Sequence, residues 1–226
     1  MKAVFVTAIG TDCGKTYVCA AALRELVAQG RTALALKPLM SGYTPDRLEA
    51  SDAGRLLLAT GRRVTPATVA EICWKSFVEP LAPNVAARRE GVELDYRDML
   101  AFLRTRLAVH DGPALVEGAG GVMSPLTDTH TNIDLAADLG LPVVLLAYSY
   151  LGAVSHTLTA VDVLSRRGLA PKAIVVTEPS AQASPAAPFI YELSRWTRVS
   201  LFAAEFARTD GETRETGARL AAYLFD

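Results

Sequence analysis

With 226 residues, half of them hydrophobic and 21% charged, the chain suits one globular domain with a sizeable core and is not a disordered chain. The formal net charge is -1 with no block of like charges, so a nucleic-acid partner has no electrostatic footprint to bind. Three cysteines, Cys13, Cys19 and Cys73, form an odd set without metal-ligand spacing, which predicts reduced thiols and a cytoplasmic protein.

In chain order, residues 3–7 are an apolar run that predicts a buried strand, beginning too near Met1 to leave room for a signal peptide. A glycine-bearing turn leads to Gly14, Lys15 and Thr16 and then to an apolar-periodic helix over 18–27, stopped at Gln29-Gly30. A second strand over 32–36 ends in Lys37-Pro38, and the crossover between them makes the two strands parallel. Residues 39–49, with Ser41-Gly42, predict a polar active-site loop, and Ser51-Asp52 can cap a helix running to about residue 60. Residues 62–79 are mixed, with a short strand expected over 69–74; Pro80 and Pro83 break the chain before a helix at 84–89. An amphipathic helix over 95–109 precedes a third strand, 114–116, which runs into Glu117, Gly118, Ala119, Gly120 and Gly121. Then follow a loop (125–131), a helix (133–139), a strand (142–147), a helix (152–165) and a strand (172–177). An Ala/Ser/Pro loop (179–188), a helix (189–196), a strand (199–203) and a closing helix (212–224) complete the chain. The most apolar region, 139–154, contains Pro142 and is too short to span a membrane. Strands alternating with helices predict a single α/β domain, doubly wound, with a mostly parallel sheet of about six to eight strands covered on both faces.

Strand, glycine loop, Lys-Thr and helix, in that order, are the parts of a phosphate-binding loop. Backbone N–H groups and the helix dipole favour an anion at that helix start. Lys15 would reach the terminal phosphates and the Thr16 hydroxyl would ligate Mg²⁺. The strict spacing places a glycine at position 9, where Ile9 stands; the nearby glycine is Gly10. Lys37 sits at a strand's carboxyl end, where open α/β sheets bind ligands, although a surface lysine before a turn reads the same. Asp52 is either a helix cap or a metal ligand. Glu117, a carboxylate ending an apolar strand before flexible glycines, is placed as phosphate-loop proteins place a metal or water holder. Cys13 fills a slot in the loop more simply than it serves as a nucleophile. His110, His130 and His156 lie far apart without metal spacing, and His156 reads as a packing or capping residue.

The set Val6-Thr7, Gly14-Lys15-Thr16, Lys37-Pro38, Ser41-Gly42, Ser51-Asp52, Val116 to Gly121 and Leu151-Gly152 with His156, all in this order, resembles the dethiobiotin synthetase family. The likeness covers about the first three quarters of the chain and weakens after Thr177. It implies a homodimeric, ATP- and Mg²⁺-dependent ligase that closes the ureido ring of dethiobiotin from 7,8-diaminononanoate and CO2. The implied metal ligands are Thr16, Asp52 and Glu117. Asp12, Cys13, Gly14, Lys15, Thr16, Glu117, Gly118, Gly120 and Thr177 would hold the nucleotide. Lys15 and Lys37 would stabilise the transferring phosphate and be needed for turnover far more than for folding. Thr11 and Ser41 would contact the carbamate and its phosphate. Gly152, Ala153, Val154 and Ser155 of the partner subunit, helped by Tyr191, would take the substrate carboxylate.

The sequence departs from the family pattern at four places. Ala8 replaces the glycine that opens the loop, Gly10 an aspartate, Asp12 a glutamate, and Thr177 the asparagine that reads adenine; the flanking Pro-containing segment is also missing around 202–206. Three competing readings share the fold. A nucleotide-driven switch ATPase would carry an extra lysine early in the loop, where Ile9 to Asp12 offer none. An amidotransferase-type ligase would need a second domain. A silent paralogue, the reading that Ala8 motivates, would bind nucleotide only.

Overall fold

The computed structural model describes residues 2–178, 180, 184–205 and 210–225. Its elements are β1 (Ala3–Ala8), α1 (Lys15–Ala28), β2 (Leu34–Leu36), β3 (Leu39–Met40), a 3₁₀ turn (Pro45–Ala50), α2 (Asp52–Ala59), α3 (Pro66–Ile72), β4 (Lys75–Ser76), α4 (Pro83–Arg89) and α5 (Tyr96–Ala108). They continue with β5 (Ala114–Glu117), α6 (Asn132–Leu139), β6 (Val143–Tyr148), α7 (Ala153–Arg166), β7 (Ala173–Thr177), α8 (Ala186–Ser194), β8 (Ser200–Ala204) and α9 (Asp210–Phe225).

Six strands form one sheet in the order β2-β5-β1-β6-β7-β8, and every pairing is parallel. Burial on both faces explains their composition: β6 and β7 read VVLLAY and AIVVT because neither side meets water. β1 and β2 are parallel, as the crossover required, but β5 lies between them. The register sets Val6 opposite Glu117 and Leu36 opposite Val116. The loop after β1, Lys37 after β2 and Glu117 ending β5 therefore meet at the carboxyl edge of three adjacent strands.

Two expected segments differ. In place of the strand expected at 69–74, residues 69–72 lie in helix α3, because Thr65 and Thr68 form a reciprocal capping box and Pro66 occupies the first helical turn. The loop expected at 39–49 contains β3, which pairs with β4 as a two-stranded ribbon, and the start of the 3₁₀ turn. The helix expected from residue 189 begins at Ala186. Parts of the expected Ala/Ser/Pro loop (179, 181–183) and residue 206 lie outside the described residues. Among the described residues no helix is long and apolar enough to cross a membrane.

Candidate active site

The loop leaves β1 only after Ala8, which is fully buried, and Ile9, whose N–H donates to the Leu146 carbonyl at 2.9 Å. Ala8 therefore belongs to the strand and not to the loop. Asp12 and Gly14 take left-handed backbone conformations, with φ of 56° and 72°. Glycine is at home in such a turn, and aspartate tolerates it better than most residues. The first helical bond runs from Val18 N–H to Gly14 carbonyl, and no side chain caps α1. The preceding backbone N–H groups are thus left for an anion.

Thr16, on the first turn of α1, lies with its Oγ1 2.8 Å from both Asp52 Oδ1 and Glu117 Oε1. The Lys37 ammonium donates to Glu117 Oε1 at 2.6 Å, contacts Asp52 Oδ2 at 2.9 Å and reaches the Gly118 carbonyl at 3.3 Å. Ser51 brings Asp52 there: its Oγ accepts the Gly54 N–H at 3.1 Å and starts α2. Asp52 thus follows the cap and takes part in the ionic cluster. Lys15 is 7% exposed and donates to the Gly10 carbonyl at 3.2 Å.

Burial would lower the Lys37 pKa, but the Glu117 and Asp52 carboxylates outweigh it and hold Lys37 above its ordinary value. Burial would likewise raise Asp52; Lys37 and the Thr16 hydroxyl instead hold it below its ordinary value. Lys15 is lowered, first by burial and then by the Lys37 charge, against the pull of Glu117. Cys13 is fully buried and its thiol is pushed up by burial, which fits a slot-filling role. Burial and the Glu117 charge push Cys19 well above the usual thiol range, so a neutral thiol lies beside Glu117.

Glu117 is completely buried, and its Oε2 has no hydrogen-bond partner among the described residues. One hydroxyl and two carboxylates make an all-oxygen donor set that fits Mg²⁺, which commonly leaves its other positions to water and phosphate. A divalent ion on these oxygens would compete with the Lys37 ammonium for the same carboxylates. No cluster of three or more His, Cys, Asp or Glu side chains suited to metal binding occurs among the described residues.

A cleft of about 820 Å³ opens onto this cluster. Thr11, Asp12, Cys13, Gly14, Lys15, Thr16, Lys37, Ser41, Asp52, Glu117, Gly120 and Thr177 all line it. Gly118 does not; its N–H pairs with Val6 and its carbonyl anchors Lys37. Gly152, Ala153, Val154, Ser155 and Tyr191 also lie outside the lining, at the start of α7 and on α8. Leu151 is wholly exposed and Tyr191 is 70% exposed. His156, on the first turn of α7, lies beside Gly152 and shares a 2.6 Å hydrogen bond with the Tyr150 hydroxyl. Thr177 is buried; its hydroxyl is directed to the Cys13 and Ala147 carbonyls at 3.0 and 3.3 Å.

Sequence reasoning missed the apolar wall formed by Leu39, Met40 and residues 80–83, and the rim residue Arg55. Pro80 and Pro83 were legible only as breaks; the pairing of β3 with β4 is what swings that segment over the cleft.

The protein-family model that matches, described as an AAA domain, covers residues 2–205. An ATP-dependent dethiobiotin synthetase BioD of Phenylobacterium zucineum is 47% identical over 210 residues, 90% of this chain and 88% of that protein. Those of Caulobacter vibrioides and Methylobacterium nodulans are 50% and 45% identical, over 79% and 82% of this chain and 80% and 84% of theirs. Two solved structures share the fold at 13% identity: a ParA family ATPase from Chlorobium tepidum (TM-score 0.54, 99% of this chain and 92% of that one) and the hydrogenase maturation factor HypB from Archaeoglobus fulgidus (0.52, 98% and 89%). The fold is therefore that of phosphate-loop nucleotide-binding proteins, and the chain belongs to the ATP-dependent dethiobiotin synthetase family.

Proposed function

We propose that this chain converts 7,8-diaminononanoate, CO2 and ATP into dethiobiotin, ADP and phosphate, as a cytoplasmic homodimer that uses Mg²⁺. The observation that carries the reading is the Thr16–Asp52–Glu117–Lys37 cluster beside an uncapped helix start in one cleft. This is equipment for holding a triphosphate and its metal. The described cleft offers no thiolate for covalent catalysis, since Cys13 is held protonated.

The chemistry needs no protein nucleophile. One substrate amine captures CO2 as a carbamate. A carbamate oxygen attacks the γ-phosphorus and ADP leaves. The second amine then attacks the carbonyl of the mixed anhydride, expelling phosphate and closing the ring. What the chain contributes is position and charge. The helix start and Lys15 hold the terminal phosphates. Thr16, Asp52 and Glu117 would hold Mg²⁺, which would supply charge neutralisation for the triphosphate. The Lys37 ammonium, beside the same carboxylates, would stabilise negative charge on carbamate and γ-phosphate oxygens. Thr11 and Ser41 would orient the carbamate, and the apolar wall at 80–83 suits a methylene chain. The partner's α7 start, residues 152–155, with Tyr191, would receive the distant carboxylate.

Purified protein given diaminononanoate, bicarbonate and Mg·ATP is expected to release ADP only when the diamine is present, with dethiobiotin identified by mass. ADP release indifferent to the diamine would point to a switch ATPase and reject the ligase.

A further inference from the structure

The glycine run after Glu117 is held from behind by one side chain. Asn132, at the start of α6, is 1% exposed, and its Nδ2 donates to the Ala119 carbonyl at 2.6 Å and the Gly121 carbonyl at 2.7 Å. Both amide hydrogens are spent on the loop. Its Oδ1 has no hydrogen-bond partner among the described residues and faces Gly118, where an added Cβ would lie only 2.5 Å away.

These bonds set the direction of two peptide planes. In a trans peptide the N–H points opposite to the C=O. At Gly121 both ends are seen: the carbonyl meets Asn132, and the Val122 N–H across the same peptide donates to Ala8 at 2.9 Å, on the phosphate-loop side. The Ala119–Gly120 peptide also gives its carbonyl to Asn132, so its N–H turns the other way. Gly120 lines the cleft, where a Cβ on it would stand 2.4 Å from Ser124 Oγ and 3.9 Å from Thr11 Oγ1. The Gly120 N–H has no partner among the described residues.

We propose that Asn132 is a positioning residue for ligation: by holding the Ala119 carbonyl it aims the Gly120 N–H into the cleft, as a donor to an anionic oxygen of the carbamate or its phosphate. The inference rests on the dethiobiotin-forming reading of the cleft. Asn132 itself touches no reactant.

Asn132→Leu keeps the bulk and removes both donors. Misdirecting one donor should lower kcat at least about tenfold, part of the roughly 100- to 1,000-fold seen on deleting an oxyanion donor, with the KM for ATP little changed. A variant with a lower melting temperature but wild-type kcat per folded molecule would reduce Asn132 to a structural residue and overturn the proposal. Should the variant not fold, backbone-amide NMR of the wild-type protein decides. The Gly120 amide proton should move downfield with diaminononanoate plus bicarbonate, or with inorganic phosphate, and the arm that moves it tells which oxygen is bound. A Gly120 signal unmoved by both, while Gly14 and Lys15 respond to Mg·ATP, rejects it. Failure of the ligase reading would look different: the wild-type protein would make no dethiobiotin in the same assay.

Discussion

Removing the Lys37 side chain would strand Glu117, which is fully buried, without a cation. Breaking a buried ion pair on one side typically costs about 3–5 kcal/mol. The sequence suggested that Lys37 matters for turnover far more than for folding; its burial between two carboxylates adds an expected cost to folding. Lys37→Ala should lower both melting temperature and kcat, the latter by about 100- to 1,000-fold. Lys15→Met should separate the two effects. Burial and Lys37 disfavour the Lys15 charge in the folded protein, so removing it should leave stability unchanged or raised while turnover falls by a similar factor. Thermal melts beside steady-state rates check both. The pH dependence follows from the same environments. Lys15 titrates below its ordinary 10.5, so kcat/KM for ATP should decline at alkaline pH with an apparent pKa under that value, and Lys15→Arg should shift the limb upward. Asp52 is held below its ordinary 3.8. Its stabilising contribution is therefore present above that pH and lost as pH falls through the depressed value, where Asp52→Asn and wild type should converge in stability. Thr177 bears on the nucleotide. Its hydroxyl is already directed to two backbone carbonyls, so it cannot pair with a base edge as an amide would. Rates with ATP, CTP, GTP and UTP should differ modestly; a preference for ATP of several orders of magnitude would mean other groups read the base.

Helix starts decide where the site residues stand, and their legibility varied. Ser51-Asp52 announced α2 correctly, and the cap it forms is what delivers Asp52 to Lys37. Ser51→Ala should cost about 1 kcal/mol in unfolding free energy and weaken Mg²⁺ dependence through Asp52, measurable by denaturant titration and by metal titration of the rate. The short strand expected over 69–74 is helical up to Ile72. The decisive signal was Thr65-Pro66-x-Thr68, a helix start that propensity alone does not weigh. Asn132 was invisible for a related reason. Its importance comes from the two loop carbonyls it meets in space, thirteen and eleven positions away in sequence.

At the scale of the whole molecule, alternating strands and helices were enough to read a parallel sheet, and strand-end residues enough to nominate Lys37 and Glu117. The order of strands was not readable. Nothing local says that β5 inserts between β2 and β1, yet that insertion brings Lys37 onto Glu117. The apolar cleft wall escaped for the same reason, since it depends on a two-stranded ribbon formed across a long separation. The exposed Leu151 and Tyr191 outside the cleft suit a subunit interface. A dimer by sedimentation, disrupted together with activity in Leu151→Asp, is expected; a fully active monomer would refute the two-subunit site.

A carbamate formed in this cleft is expected to attack ATP, and the fate of its oxygens shows whether it does. With CO2 carrying ¹⁸O in both positions, assayed before the label exchanges with water, one oxygen should pass to the γ-phosphorus and leave in phosphate while the other stays in the ureido carbonyl. Mass spectrometry should therefore find one ¹⁸O in the released phosphate for each labelled dethiobiotin. Unlabelled phosphate alongside ADP would show that water, and not the carbamate, attacks ATP.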